Sequence, residues 1–368
     1  MDTIGGAQIH VKDISIGMKE RGHSVVLVTG IGENIHSILE EEGIPNYRSK
    51  HLIRNMNIIS DVKAFIEIRK MLKEIAPNII ATHSSKAGII GRIAGWTLRI
   101  PTVFTAHGWS FTEGVSSKRR IFYMFIEKIV GTFSDGIITV SKYDSDLARD
   151  SKVVPVHKLH TIHNGVHEYK HPKRVKRLDC EPTIIMVARF ARPKKQLALL
   201  KALQKLKLVG WNVRFAGEGP LLNEAINYVK ANQLCERVEF LGDRNDVMEL
   251  LQQSDVFVLL SDWEGLPLSI LEAMRSGLPI IASDVGGVKE AVHQSINGYI
   301  IPKNNEAELI CKLSEILTSS ALRLEMGNES RKLFETHFTF KKMLDETDKY
   351  YEKVINKKME KVMISREG

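Results

Sequence analysis

The segment from Ser254 to Asp284 constrains the fold more than any other part of the chain. Val256 to Leu260 is a continuous apolar run of the kind found in buried strands, and Glu264-Gly265 interrupts it. Pro267 suits the first turn of a helix that ends near Gly277, and a second apolar run follows from Pro279 to Ala282. Strand, loop, helix and strand in that order make one βαβ unit of a parallel sheet. Open parallel sheets bind ligands beyond the carboxyl ends of their strands, so the loop from Ser261 to Gly265 lies at a binding position with a helix N-terminus directed at it. That position suits phosphate.

Two carboxylates, Glu264 in the loop and Glu272 inside the helix, frame it. A carboxylate does not bind phosphate, but it accepts hydrogen bonds from sugar hydroxyls, so a ligand carrying both diphosphate and sugars would use the whole arrangement. On the residues alone a plainer reading stands beside this one. Glu264 complements the positive helix end, and Glu272 is a solvated helix residue.

At about 150 residues per domain, 368 residues predict two domains. Cys180, Cys235 and Cys311 are odd in number, far apart and in no C-x-x-C pair. This argues against a disulfide frame or a zinc site and for a reducing cytoplasm. The sequence contains neither a signal peptide nor an apolar span of about 18 residues. Of the net charge of +8, residues 1–170 contribute 22 Lys and Arg against 17 Asp and Glu, and residues 171–177 contribute four cations and no acid. A basic first half fits an anionic lipid surface or an acidic acceptor. No nucleic-acid-binding motif accompanies it.

Gly5-Gly6 opens onto an amphipathic helix that reaches about Arg21, and a strand is expected from Ser24 to Thr29. Paired glycines let a backbone approach a phosphate closely. Helical patterns cover residues 33–43 and 58–76. The strand Asn78 to Thr82 delivers His83 and Lys86 at its carboxyl end, and Thr102 to Thr105 delivers His107, with Glu113 beyond it. Strand ends of this kind are where a second substrate is expected. Lys118-Arg119-Arg120 then runs into Ile-Phe-Tyr-Met-Phe-Ile126. The first expectation is a core helix with a solvated basic end, and the second is a surface helix docking on anionic lipid. Residues 171–179 are charge-dense, contain a proline and read as a hinge. Beyond them the strand Thr183 to Ala188 presents Arg189 and Lys194, a planar fork and a point charge suited to a diphosphate. Val238 to Leu241 leads into a loop containing Arg244.

The run Glu264-Gly-Leu-Pro-Leu-Ser-Ile-Leu-Glu272-Ala-Met-Arg-Ser-Gly277 resembles the E-x7-E signature of retaining glycosyltransferases of family four, and the similarity extends from Ile4 to about Phe340. The resemblance implies an α/β protein of two Rossmann-like domains facing each other across a cleft, the GT-B arrangement. Residues 1–170 would form the acceptor-side domain and residues 180–338 the nucleotide-sugar domain. Residues 339–368 would form a last helix crossing back to the first domain, with a polar tail. The implied reaction is transfer of a sugar, with retention, from a nucleotide-sugar to a saccharide or lipid-linked saccharide in bacterial surface polysaccharide synthesis.

Glu264, His107, Arg189 and Lys194 would be catalytic by the same resemblance. Gly5, Gly6, Gly265, Leu266, Leu268, Glu272 and Arg244 would bind the donor, and His83, Lys86 and Glu113 would lie on the acceptor side. No metal or cofactor is implied, and a UDP-sugar is the expected donor. The protein is expected in the cytoplasm, on the inner face of the plasma membrane. Ala188 and Lys195 stand where the family commonly has glycines. A nucleotide-sugar epimerase of the same fold and a non-catalytic nucleotide-sugar-binding protein are the alternatives. A glycogen-type phosphorylase would need a pyridoxal phosphate lysine, and none is identifiable.

The start of the chain carries its own expectation. A Rossmann-like half opens with a buried strand that carries the glycine loop, yet only four residues precede Gly5. At about 3.3 Å per residue they cannot cross a sheet. The first strand of the N-terminal domain therefore reads as missing, with roughly ten apolar residues expected before Asp2 and unpaired strand edges on either side of the vacant position.

Overall fold

The structure, a computed structural model, describes residues 5–30, 35–53, 57–169, 181–206 and 210–367. They form two compact units, Met1–His163 with Lys341–Gly368, and Asn164–Phe340. Residues 171–179, read as a hinge, lie outside the described residues, as do residues 1–4.

The first unit alternates helix and strand as α1 (Gly6–Glu20), β1 (Leu27–Gly30), α2 (Ile35–Glu41), β2 (Asn46–Ser49), α3 (Ile58–Ile75) and β3 (Ile80–His83). It continues with α4 (Ser85–Leu98), β4 (Thr102–Ala106), α5 (Ser117–Val130), β5 (Gly136–Thr139), α6 (Lys142–Asp150) and β6 (Leu159–Thr161). Local chemistry sets the helix ends. Asn57 caps α3 by accepting from the Ser60 N–H, and Ala76 closes it in the left-handed conformation just before Pro77. All pairings are parallel, in one sheet of order β3-β4-β5-β6 and a separate pair β1-β2. Every residue of β4 and β5 is buried, which is why these strands read as continuous apolar runs. Among the described residues no strand hydrogen-bonds the open edge of β3, or β1 on the side away from β2. Val28 and Ile80, from these two strands, nevertheless pack on one cluster of Ala64, Ile68, Leu72, Ile90 and Ala94.

The second unit contains β7 (Thr183–Val187), α7 (Gln196–Gln204), β8 (Asn212–Ala216), α8 (Leu222–Ala231), β9 (Val238–Gly242), α9 (Val247–Gln252) and β10 (Val256–Leu259). After these come α10 (Leu268–Arg275), β11 (Ile280–Ser283), α11 (Val288–Ala291), β12 (Gly298–Ile301), α12 (Glu306–Thr318) and α13 (Ser320–His337). Its six parallel strands run β12-β11-β10-β7-β8-β9. The order reverses between β7 and β10, and a doubly wound sheet opens a ligand crevice at such a point.

The final helix, α14 (Phe340–Glu367), belongs from Lys341 onward to the first unit. Arg21 pairs with Asp345 and Asp348, Tyr350 stacks on His160 with ring centroids 4.5 Å apart, and Lys358 pairs with Asp135 at 2.7 Å. Gly136 makes room for this helix, because a Cβ there would come within 2.5 Å of the Tyr350 hydroxyl. Two expectations need correction. The strand expected over Ser24 to Thr29 begins at Leu27, and α5 buries only part of its apolar run, Tyr123 and Met124 packing on the cluster around Phe104 and Ile137. Ile121, Phe122, Phe125 and Ile129 are exposed, for a reason that lies in the opposite face of the helix.

Candidate active site

In the second unit the loops that leave β7 and β10 flank the reversal of strand order and are joined to each other. Lys195 N–H donates to the Leu260 carbonyl at 2.9 Å, and Asp262 N–H donates to the Pro193 carbonyl at 3.0 Å. This junction brings the Lys194 ammonium onto the Glu264 carboxylate, with both side chains largely buried. Ser261 Oγ donates to the same carboxylate at 2.5 Å, and Ser283 Oγ in turn accepts from the Ser261 N–H at 3.0 Å. Gly286 holds the loop from behind: a side chain there would strike the Glu264 carbonyl, and its φ of +54° favours glycine. Asn164 Nδ2 donates to the Leu266 carbonyl at 2.9 Å, which fixes the chain just before α10.

Pro267 precedes the first residue of α10, Leu268, so unpaired backbone N–H groups begin beside Gly265 and Leu266. Glu272 lies one turn into α10, half-buried; burial lowers the pKa of the nearby Arg275, and the charge of Glu272 opposes that shift. Arg189 is exposed at the carboxyl end of β7. The structure therefore brings Lys194 and Glu264 into contact and sets Gly265, Leu266, Leu268 and Glu272 on the same loop and helix. Arg244 is different. It is exposed after β9, where its guanidinium donates to Asp246 at 2.7 Å.

In the first unit β3 and β4 end side by side, and their terminal histidines meet. His83 Nδ1 and His107 Nε2 are 3.1 Å apart, and His10 of α1 sets its ring edge-on against His107 with centroids 4.6 Å apart. Burial, and then His10, lowers the His83 imidazolium pKa to about 3, and burial holds that of His107 well below the ordinary range. Both are neutral imidazoles near pH 7, each able to donate one hydrogen bond and accept another. The ligand atoms of all three histidines lie within 4.8 Å of one another, so among the described residues they form a group able to share a metal ion. Lys86 in the first turn of α4 pairs with Asp61 of α3 at 2.6 Å. Glu113 is exposed. Gly5 caps α1, its N–H donating to Gln8 Oε1 at 2.8 Å, and a Cβ on Gly5 would meet nothing closer than 3.9 Å. Gly6 begins the helix.

Sequence reasoning assigned no role to the side chains of His10, Ser261, Ser283 or Asn164. His10 carried one signal, since it lies one helical turn before Ile14 and two before Met18 on the buried side of α1. A polar residue on an apolar stripe is the kind that needs a partner.

Two parallel α/β units, a strand-order reversal in the second and a loop–helix junction suited to phosphate fit a glycosyltransferase of the GT-B class. Residues 4–168 match the model described as Glycosyltransferase Family 4, and residues 169–333 match Glycosyl transferases group 1. The chain belongs to glycosyltransferase family 4. It is 32% identical over 323 residues to the Escherichia coli UDP-Gal:alpha-D-GlcNAc-diphosphoundecaprenol alpha-1,3-galactosyltransferase, covering 83% of each chain. It is 28% identical over 319 residues to the O-antigen biosynthesis glycosyltransferase WbnH of the same organism, covering 85% of this chain and 87% of that one. Among solved structures, Anabaena HepE in complex with UDP matches with a TM-score of 0.81 at 18% identity, covering 96% of this chain and 98% of that chain. Sucrose-phosphate synthase from Thermosynechococcus elongatus matches with a TM-score of 0.81 at 20% identity, covering 96% and 94%. The matched models and these relatives leave the epimerase alternative without support. Among the described residues no helix is long and apolar enough to cross a membrane.

Proposed function

We propose that the protein transfers a sugar from a UDP-sugar, with retention of configuration, to a lipid-linked saccharide during bacterial surface polysaccharide synthesis. The observation that carries this reading is the Lys194–Glu264 pair at the strand-order reversal, directly before α10. A cation for the diphosphate and an acceptor for sugar hydroxyls are thereby fixed together. The names of the Escherichia coli relatives support the donor, the lipid-linked acceptor and the pathway class.

Glu272 binds the ribose, Glu264 the donor sugar, and Gly5, Gly6, Gly265, Leu266 and Leu268 face the diphosphate with backbone. Arg244 belongs to the loop after β9, which serves the nucleobase end of the donor largely through backbone. As the bond from the sugar C1 to the diphosphate oxygen breaks, Arg189, Lys194 and the α10 N-terminus stabilise the charge that develops on the leaving group. The acceptor oxygen attacks the same face of the sugar, and its proton passes to the departing phosphate oxygen. His107 hydrogen-bonds the transferred sugar as a neutral imidazole, while His83, Lys86 and Glu113 serve the acceptor side.

This chemistry calls for no metal. The protein acts on the inner face of the plasma membrane. Thermal stabilisation of the purified chain by a panel of nucleotide-sugars tests the donor, since a ligand that binds only the folded state raises its apparent stability. UDP-sugars are expected to stabilise it, and transfer to a diphosphoundecaprenol-linked saccharide is expected to survive a chelator. Loss of transfer in chelator with rescue by a divalent ion would replace this account with one in which the three histidines hold a metal.

A further inference from the structure

Helix α5 turns an apolar face toward solvent, and a buried ion pair holds it there. Arg92, fully buried in α4, donates through its two terminal nitrogens to both oxygens of Glu127 at 3.0 and 3.3 Å. Glu127 is the only acid of α5, and breaking a buried pair of this kind is costly. With Glu127 facing inward, the opposite side of the helix must face out. Ile121, Phe122, Phe125 and Ile129 occupy it with 68%, 52%, 61% and 46% of their surface exposed. At about 100° per residue these four fall within a stripe about 100° wide, the width of a face built to be covered.

The stripe has a basic rim. Lys118 and Arg119 are exposed at its head and Lys128 at its side, with Arg120 partly exposed. Three cations in the first turn lie against the helix dipole and weaken the isolated helix. Their placement makes sense if an external anionic surface compensates them.

A second face repeats the pattern. Ile58, Ile59, Val62 and Ile66 of α3 are exposed at the same spacing. In a parallel α/β unit each helix starts at the carboxyl ends of the strands. The Asp61–Lys86 pair ties the start of α3 to the start of α4, directly after His83. Both exposed stripes therefore begin at the rim that carries the three histidines.

We propose that the exposed faces of α5 and α3 form a docking surface for an anionic bilayer, with the aromatic and aliphatic side chains entering the acyl boundary and the cations meeting the headgroups. This rests on the lipid-linked acceptor of the proposed function and names the surface that would bring such an acceptor to the histidine rim.

Flotation of the full chain with vesicles of phosphatidylcholine alone, and with vesicles of about one third phosphatidylglycerol, tests it. The chain is expected to float with the anionic vesicles and less so as salt rises. Phe122→Ser with Phe125→Ser is expected to lower the partition coefficient at least about tenfold. Lys118→Glu with Arg119→Glu is expected to abolish the preference for anionic vesicles. Both double variants should melt like the wild type and keep its stabilisation by nucleotide-sugar. Failure of every nucleotide-sugar to stabilise the wild type would count against the donor reading and leave the flotation result to judge the surface. Absence of wild-type flotation at any salt would overturn the proposal, as would unchanged flotation of both variants. A wild-type dimer in light scattering that the Phe variants convert to monomer would also overturn it, assigning the face to a second copy.

Discussion

Glu264 and Lys194 share one ion pair, so neither side chain can be changed without altering its partner. Glu264→Ala is expected to lower turnover far more than it weakens binding of free UDP, since the proposed partner of the carboxylate is the donor sugar. Glu272→Ala is expected to weaken both. Calorimetric titration with UDP and UDP-sugar separates the two, and equal binding by wild type and both variants with unchanged activity would remove the assignment. Arg189→Ala and Lys194→Ala are each expected to cost on the order of 10² in rate, as losses of groups that stabilise transition-state charge do. Steady-state kinetics on UDP-sugar reads this, and a loss confined to KM would contradict it. The histidines carry a pH prediction. His83 has a folded pKa of about 3, while an unfolded histidine titrates near about 6.5. The unfolded chain therefore binds more protons in acid, and stability falls as pH drops below about 6.5, levelling off only near the folded value. His83→Asn is expected to flatten the fall of Tm with acidity, and an unchanged slope would refute it. His107 was legible because a strand delivers it in a loop that resembles the family's. His10 was not, because its partners stand 73 and 97 positions away in sequence and α1 alone presents it as a core residue.

At the scale of the element, α5 shows where a sequence falls short. Lys-Arg-Arg followed by alternating aliphatic and aromatic residues has the same composition whether the helix is covered or exposed. Its orientation is decided by Arg92, a residue of α4, and its ion pair with Glu127. Glu127→Ala leaves the Arg92 guanidinium buried without its carboxylate and is expected to destabilise the chain by about 3–5 kcal/mol. Urea unfolding measures this, and a loss below about 1 kcal/mol would mean that the pair does not set the helix. Strands β4, β5, β7, β10 and β11 were legible as apolar runs, being buried on both faces. The short strand β2, Asn-Tyr-Arg-Ser, was not, because a half-exposed strand that among the described residues pairs only with β1 needs no apolar run.

For the whole molecule, strand–helix alternation through nearly all of the chain made the two parallel α/β units legible, and the E-x7-E run marked the loop after β10 in advance. The join between the β7 and β10 loops was beyond reach, since it depends on a strand order that no local pattern encodes. Under the proposed function, this chain moves a sugar from a UDP-sugar without inverting it. The direct test is the anomeric configuration of the product, read by NMR after incubation with an α-linked UDP-sugar and a diphosphoundecaprenol-linked saccharide acceptor. The account predicts a new α-glycosidic linkage. A β-linkage, or an epimerised sugar with no new linkage, would contradict it.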